Sequence, residues 1–355
     1  MVAMTTVSVC VPLSLDPTAA ITAAAARAGT TVEVRYEPSL VPPQRFPADH
    51  AGDPGWRRSA DTTARWNRLL AGTDISLGVP GDAPAGLLAL VSTAPTVAWV
   101  QGTAAGAGEQ ARRAGLAAEI AARLVVTSAA GVHATPLAEF AVFGLLAFAK
   151  DLDRLLRQQR AAQWPGRWPM RQLRGSRVLL LGLGGVGREV ARLCAAFGAE
   201  VTGVRRNPGG PAVPGVDRTI GLADLDAALP GSDAIIVTLP GTPETVGLLN
   251  ADRLARLPSH AILVNVGRGT VVDTGALVAA LDAGRLRGAV LDVTEPEPLP
   301  AASPLWQRDD VLISPHTAAL GTDEDDRLVE LFADNLYRWL TGQPLRNVVD
   351  LAVGY

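Results

Sequence analysis

Three apolar runs in the second half of the chain end in residues suited to handling a carbonyl. The run at 262–266 leads into Asn265-Val-Gly-Arg268, the run at 288–293 into Asp292-Val-Thr-Glu295-Pro-Glu297, and the run at 311–314 into Ser314-Pro-His316. Hydride delivered to a ketone carbon leaves an alkoxide that needs a proton, and an imidazolium is a suitable donor. A carboxylate, from Glu295 or Glu297, bonded to the far ring nitrogen would orient the imidazole and favour its charged form. A guanidinium can clamp a substrate carboxylate and polarise the carbonyl beside it. Of the four histidines, only His316 directly follows a strand end. His50 lies in a polar loop and His260 in a turn, both read as surface positions. His133 precedes a long apolar helix and reads as a structural hydrogen-bonding residue.

A second constellation is Gly182-Leu-Gly184-Gly185-Val186-Gly187, a GxGxxG pattern. With 36 glycines in 355 residues, chance alone supplies such a pattern roughly a third of a time, so the motif by itself is weak. Its context is specific: the strand Arg177-Val-Leu-Leu-Leu runs into it and an amphipathic helix leaves from it. Gly182 would make the tight turn, Gly184 would admit a pyrophosphate, and Gly187 would let helix and strand pack closely. The phosphates would rest on the backbone N–H groups of Gly185 and Val186. The next strand ends in Arg205-Arg206, where an NAD enzyme would place an acidic residue for the ribose 2′-hydroxyl. Two guanidiniums suit a 2′-phosphate instead, so NADP(H) is expected in preference to NAD(H), with NAD(H) possible.

The elements that must carry these residues are strands alternating with helices. Strands read at 7–11, 31–36, 74–79, 96–100 and 124–127, then at 177–182, 200–204, 234–239, 261–266, 288–293 and 311–314. Helices between them imply α/β architecture with two doubly wound parallel sheets, each covered on both faces. Residues 38–58 are rich in Pro, Gly and charge and read as a loop. Residues 151–174, with many arginines plus Trp164 and Trp168, read as a solvated helix and connector. An amphipathic helix closes the chain at 323–340, with Leu328, Leu331, Phe332, Leu336 and Leu340 on one face.

Composition narrows the chemistry further. Basic and acidic residues number 32 and 35, and Lys150 is the only lysine. A phosphate loop of the Walker type needs a lysine after its glycines, and Lys150 does not follow any. A lysine Schiff base is disfavoured, because Lys150 ends an apolar helix beside Asp151. The slightly acidic balance argues against nucleic acid. Cys10 and Cys194, the only cysteines, give no metal knuckle or disulfide framework and suit a reducing cytoplasm. No metal is expected. No basic segment followed by an apolar run marks a signal peptide, and the apolar stretch 140–149 is about half the length of a membrane span.

From about residue 96 onward the chain resembles the D-isomer-specific 2-hydroxyacid dehydrogenases. The motifs are Gly131-Val-His-Ala with Ala138-Glu139, the glycine loop, Thr238-Leu-Pro240 with Thr242-Pro-Glu-Thr245, the 265–273 segment, Asp292 to Glu297, and Pro315-His316. The resemblance implies Arg268 as the substrate-binding residue, His316 as general acid/base and Glu297, rather than Glu295, as its partner. It implies Asp292 on the nicotinamide carboxamide, Val266-Gly267 lining the ring, Leu239-Pro240 bordering the adenine side, and Ala105-Gly106 offering backbone N–H groups to a substrate carboxylate. Arg205, where the family usually has Asp, points toward its NADPH-using glyoxylate and hydroxypyruvate reductases.

The expected arrangement is a substrate domain from residues 1–132 with 321–355, a dinucleotide domain from 133–320, and a cleft between them that closes on binding. The expected activity is reduction of a 2-oxoacid to a D-2-hydroxyacid by a cytoplasmic homodimer, with no membrane partner. The alternatives are a nicotinamide-sensing regulator of the corepressor type, which would bind cofactor without turnover, and a phosphoglycerate dehydrogenase. The residues that read the substrate side chain belong to the N-terminal third, where the resemblance is weakest, with Trp164 or Trp168 of a partner subunit a further expectation.

Overall fold

Parallel strands run through both halves of the chain in the computed structural model, which describes residues 4–351. Among those residues the chain divides into two compact units, one built from the segments up to His133 and from Leu320 onward, the other from Ala134–Ala319. In the first, β1 (Thr5–Val9), β2 (Val32–Arg35), β3 (Ile75–Leu77), β4 (Trp99–Gln101) and β5 (Val125–Thr127) form a parallel sheet in the order β2-β1-β3-β4-β5. The order reverses at β1, so a crevice opens off the carboxyl ends of β1 and β3. The helix Glu324–Leu340 returns to this unit and buries Leu328, Phe332 and Leu336. Trp99 stacks on Phe332 and Trp339 with ring centroids 5.1 and 5.8 Å away.

The second unit holds β6 (Arg177–Leu181), β7 (Glu200–Val204), β8 (Arg218–Ile220), β9 (Ala234–Val237), β10 (Ile262–Asn265), β11 (Gly288–Leu291) and β12 (Val311–Ile313). Their order is β12-β11-β10-β9-β6-β7-β8. The register brings the strand ends level. Ile313 lies beside Leu291, Leu291 beside Asn265, Asn265 beside Val237, Val237 beside Leu181 and Leu181 beside Val204. Whatever follows each of these residues is therefore delivered to one edge.

The observed strands lie within or near the expected ones. Edge strand β8 escapes the periodicity because it spans three residues that begin with an exposed arginine. A larger correction concerns His50, which is buried rather than at the surface, with 5% of its side chain exposed. Its Nε2 lies 2.8 Å from Asp325 Oδ1. Asp325 Oδ2 accepts hydrogen bonds from Ser14 N at 2.7 Å and Gln44 Nε2 at 3.1 Å. His133 behaves as read, bonding through Nε2 to Glu324 Oε1 at 2.8 Å. Cys10 and Cys194 are buried and free, and burial pushes both thiols up to about 12, so neither is a nucleophile. Among the described residues no helix is long and apolar enough to cross a membrane.

Burial alone would raise the Asp325 carboxyl, but the bonds from His50, Ser14 and Gln44 outweigh it and hold the group at about 2, against 3.8 unperturbed. A depressed folded-state value means stability that is present above pH 3.8 and lost as pH falls toward 2. Asp325→Asn is therefore expected to cost about 2 kcal/mol at neutral pH, with a smaller gap to wild type at acid pH. Denaturant titrations at both pH values measure this, and a gap independent of pH would contradict it.

Candidate active site

The carboxyl edge of the seven-stranded sheet gathers most of the residues singled out above. After β12 the chain turns at Ser314-Pro315 and places His316 in the left-handed region, with φ +53°. His316 N donates to Asp292 O at 2.9 Å. The Asp292 side chain, 2% exposed, accepts from Thr317 N at 3.1 Å and Ala318 N at 3.0 Å through Oδ1. One buried residue thus holds the histidine turn through its backbone carbonyl and one carboxylate oxygen, a positioning role distinct from the contact with nicotinamide that the resemblance implies.

Between Glu295 and Glu297, the geometry selects the second. His316 Nδ1 lies 2.6 Å from Glu297 Oε1. With Nδ1 so engaged, Nε2 is the nitrogen available to a substrate. Glu295 instead serves the backbone, its carbonyl accepting from Thr274 Oγ1 at 2.8 Å. Both members of the pair are partly exposed, His316 at 46% and Glu297 at 41%, so the ring is accessible from solvent.

Arg268 leaves the end of β10 and is exposed. Buried Asn265 shapes the turn before it, donating from Nδ2 to Arg268 O at 3.0 Å and accepting from Gly267 N at 3.0 Å. Gly267 must lack a side chain: a Cβ there would lie 2.6 Å from Leu239 O. Asn265 is a site residue that the motif contained without a role. Its signal was an amide closing an otherwise apolar strand, where a buried polar group needs partners.

The glycine loop fits a dinucleotide on geometric grounds. Gly182 adopts φ +104°, outside the range of most L-residues. A Cβ on Gly187 would lie 2.0 Å from Gly182 O, so only glycine lets the helix Gly185–Ala196 start this close to β6. Gly184 has nothing within 4 Å of where a Cβ would stand, an open cradle above the first turn. Thr238, from the end of β9, ties the loop down by donating to Leu181 O and Gly182 O at 3.0 and 3.1 Å. Leu239-Pro240 follows it, and Val266-Gly267 ends β10 at the same level.

Arg205 and Arg206 stand at the end of β7 in different settings. Arg205 Nη2 donates to Gly210 O at 2.5 Å and Pro208 O at 3.4 Å, while its Nε is buried without a hydrogen-bond partner. Arg206 is exposed, its Nη2 3.8 Å from Glu244 Oε2. An orphaned N–H on an arginine that is followed in sequence by a second one suits a phosphate acceptor. Ala105 and Gly106 belong to the first unit, in the turn between β4 and the helix Ala107–Arg113. Trp168 is engaged within the second unit, donating to Asp151 Oδ2 at 2.8 Å beneath the Arg154 guanidinium, whereas Trp164 is almost fully exposed. Among the described residues no group of three His, Cys, Asp or Glu could hold a metal ion.

Comparison with known proteins bears on the fold and the family. Residues 142–318 match the model of the D-isomer specific 2-hydroxyacid dehydrogenase NAD binding domain. A crystal structure of a D-isomer specific 2-hydroxyacid dehydrogenase from Xanthobacter autotrophicus, in complex with NADPH and MES, is 31% identical, covers 99% of this chain and all of its own, and superposes with a TM-score of 0.71. The chain belongs to the D-isomer-specific 2-hydroxyacid dehydrogenase family. An NADPH-dependent glyoxylate/hydroxypyruvate reductase from Sinorhizobium meliloti, in complex with NADP and sulfate, superposes with a TM-score of 0.72 at 27% identity, covering 99% of this chain and all of its own. A glyoxylate reductase from Thermofilum pendens is 36% identical over 228 residues, 62% of this chain. The match spans 66% of that relative's length, and 58% and 43% of two other curated relatives.

Gly187→Ala forces an overpacked contact at a backbone oxygen that cannot move cheaply, which costs about 1–3 kcal/mol. Its expected outcome is reduced stability in urea together with at least tenfold weaker NADPH binding by fluorescence titration. Unchanged NADPH affinity would show that the loop is not where the dinucleotide lies.

Proposed function

We propose that this member of the family is an NADPH-dependent reductase of small 2-oxoacids, of the glyoxylate/hydroxypyruvate type, forming D-2-hydroxyacids. The observation that carries the reading is the hydrogen bond between His316 Nδ1 and Glu297 Oε1 at 2.6 Å, at the level where the glycine loop and Arg268 also emerge. Bound NADPH would supply the hydride to C2. The chain supplies the rest. Arg268 holds the substrate carboxylate and polarises the adjacent carbonyl. His316 donates a proton from Nε2 to the forming alkoxide, and Glu297 holds the ring in position through Nδ1. In the oxidising direction the same nitrogen accepts the hydroxyl proton.

Gly182, Gly184, Gly185, Val186 and Gly187 would hold the pyrophosphate, with Leu239-Pro240 on the adenine side. Asp292 and Val266-Gly267 would face the nicotinamide. Arg205 and Arg206 would take the 2′-phosphate, a reading supported by the orphaned Arg205 Nε and by relatives solved with NADPH or NADP. Nucleotide binding is thereby assigned to the unit Ala134–Ala319. A cytoplasmic homodimer is the proposed assembly, supported by exposed Phe143, Leu155, Leu156 and Trp164 on one continuous stretch of the second unit.

Steady-state assays of glyoxylate and hydroxypyruvate with each cofactor test the reading. NADPH is expected to give the higher kcat/KM, and His316→Ala to lower kcat by about two to four orders of magnitude. A better kcat/KM with NADH would overturn the 2′-phosphate assignment, and a loss under tenfold in His316→Ala would overturn the proton donor.

A further inference from the structure

The segment 241–249, which follows β9, has no role in the chemistry above, yet it is tied down at both ends. Thr245 Oγ1 accepts from Thr242 N at 2.8 Å and donates to Pro240 O at 2.6 Å. Gly247 N donates to Thr270 O at 2.8 Å and Leu249 N to Val271 O at 3.0 Å, which fastens the far end to the turn after β10. A Cβ on Gly241 would lie 2.8 Å from Thr270 Oγ1, so the near end packs there as well. The segment carries a single charged residue, Glu244. Thr242 Oγ1 donates to its Oε2 at 3.3 Å.

Glu244 Oε2 also lies 3.8 Å from Arg206 Nη2. The two residues follow strands that are not neighbours: β6, with the glycine loop at its end, runs between β9 and β7. Leu181 is level with both Val204 and Val237, so the pair meets across the end of β6 from either side. An adenosine ribose occupies that stretch when a pyrophosphate rests on the glycine loop. All of these residues belong to the one unit Ala134–Ala319.

Glu244 is 68% exposed and Arg206 78%. An ion pair so exposed contributes little to stability, so folding does not account for the carboxylate's place. Its charge bears on the ligand instead. A 2′-phosphate competes with Glu244 for the Arg206 guanidinium and is repelled by the carboxylate. A 2′-hydroxyl brings a donor, which a carboxylate accepts and a guanidinium does not.

We propose that Glu244 is a specificity-determining residue for the dinucleotide. It pairs with Arg206 in the free protein, yields that guanidinium to the 2′-phosphate of NADPH, and accepts the 2′-hydroxyl of NADH. The carboxylate thereby moderates the preference for NADPH and keeps NADH usable. The assignment rests on the 2′-phosphate reading of Arg205 and Arg206.

Fluorescence titration of NADPH and of NADH into the full-length protein tests this without turnover. Glu244→Gln is expected to tighten NADPH and weaken NADH, raising the ratio of their affinities by about fivefold or more at low salt. High salt should shrink the gain for NADPH, because it screens exposed charges, whereas a packing role would leave it unmoved. Glu244→Asp, which keeps the charge, should recover part of the wild-type ratio. Arg206→Gln is expected to weaken NADPH by about tenfold or more. A ratio unchanged in Glu244→Gln, with NADPH weakened in Arg206→Gln, would overturn the proposal and leave the 2′-phosphate reading standing. Affinities unchanged in both variants would overturn the two together.

Discussion

The parallel ladder of the seven-stranded sheet is the constraint on which the site depends. Its hydrogen bonds set Val204, Leu181, Val237, Asn265, Leu291 and Ile313 side by side, so six strands stop at one level. The next residue of each is then Arg205, Gly182, Thr238, Val266, Asp292 and Ser314. Chemistry-bearing groups drawn from more than a hundred residues of sequence reach one edge because the backbone register leaves them no other place. A one-residue slip in any of these strands would turn its apolar side chains out of the core, and the two core layers on either face of the sheet prevent it.

On that edge, buried polar groups convert position into orientation. Asp292 fixes the turn that carries His316, and Asn265 fixes the turn that carries Arg268. Each is almost wholly removed from water with its hydrogen bonds spent on backbone groups. Their hydrogen bonds fix the backbone that carries His316 and Arg268 while both side chains stay open to solvent. Thr238 does the same for the glycine loop.

Much of this was legible in the residues. Apolar runs located all but one strand, and the polar residues after them pointed to the site, because an in-register parallel sheet makes strand ends and ligand edge the same place. What periodicity could not supply was pairing across long separations. His50 reads as a surface residue because its neighbours are polar, while its partner Asp325 lies 275 positions away. The choice between Glu295 and Glu297 escapes residue type, because it depends on which carboxylate the folded backbone brings to the His316 ring. Edge strand β8 carries too few apolar residues to announce itself.

The central claim is that Glu297 acts through His316, and a double-mutant cycle tests it most directly. Single-turnover rates of 2-oxoacid reduction would be compared for the wild type, Glu297→Gln, His316→Ala and the double variant. The account predicts that Glu297→Gln slows the wild type by about ten- to a hundredfold, as loss of an orienting partner does, and has no further effect once His316 is absent. Losses that multiply in the double variant would mean that the two residues act independently, and would contradict it.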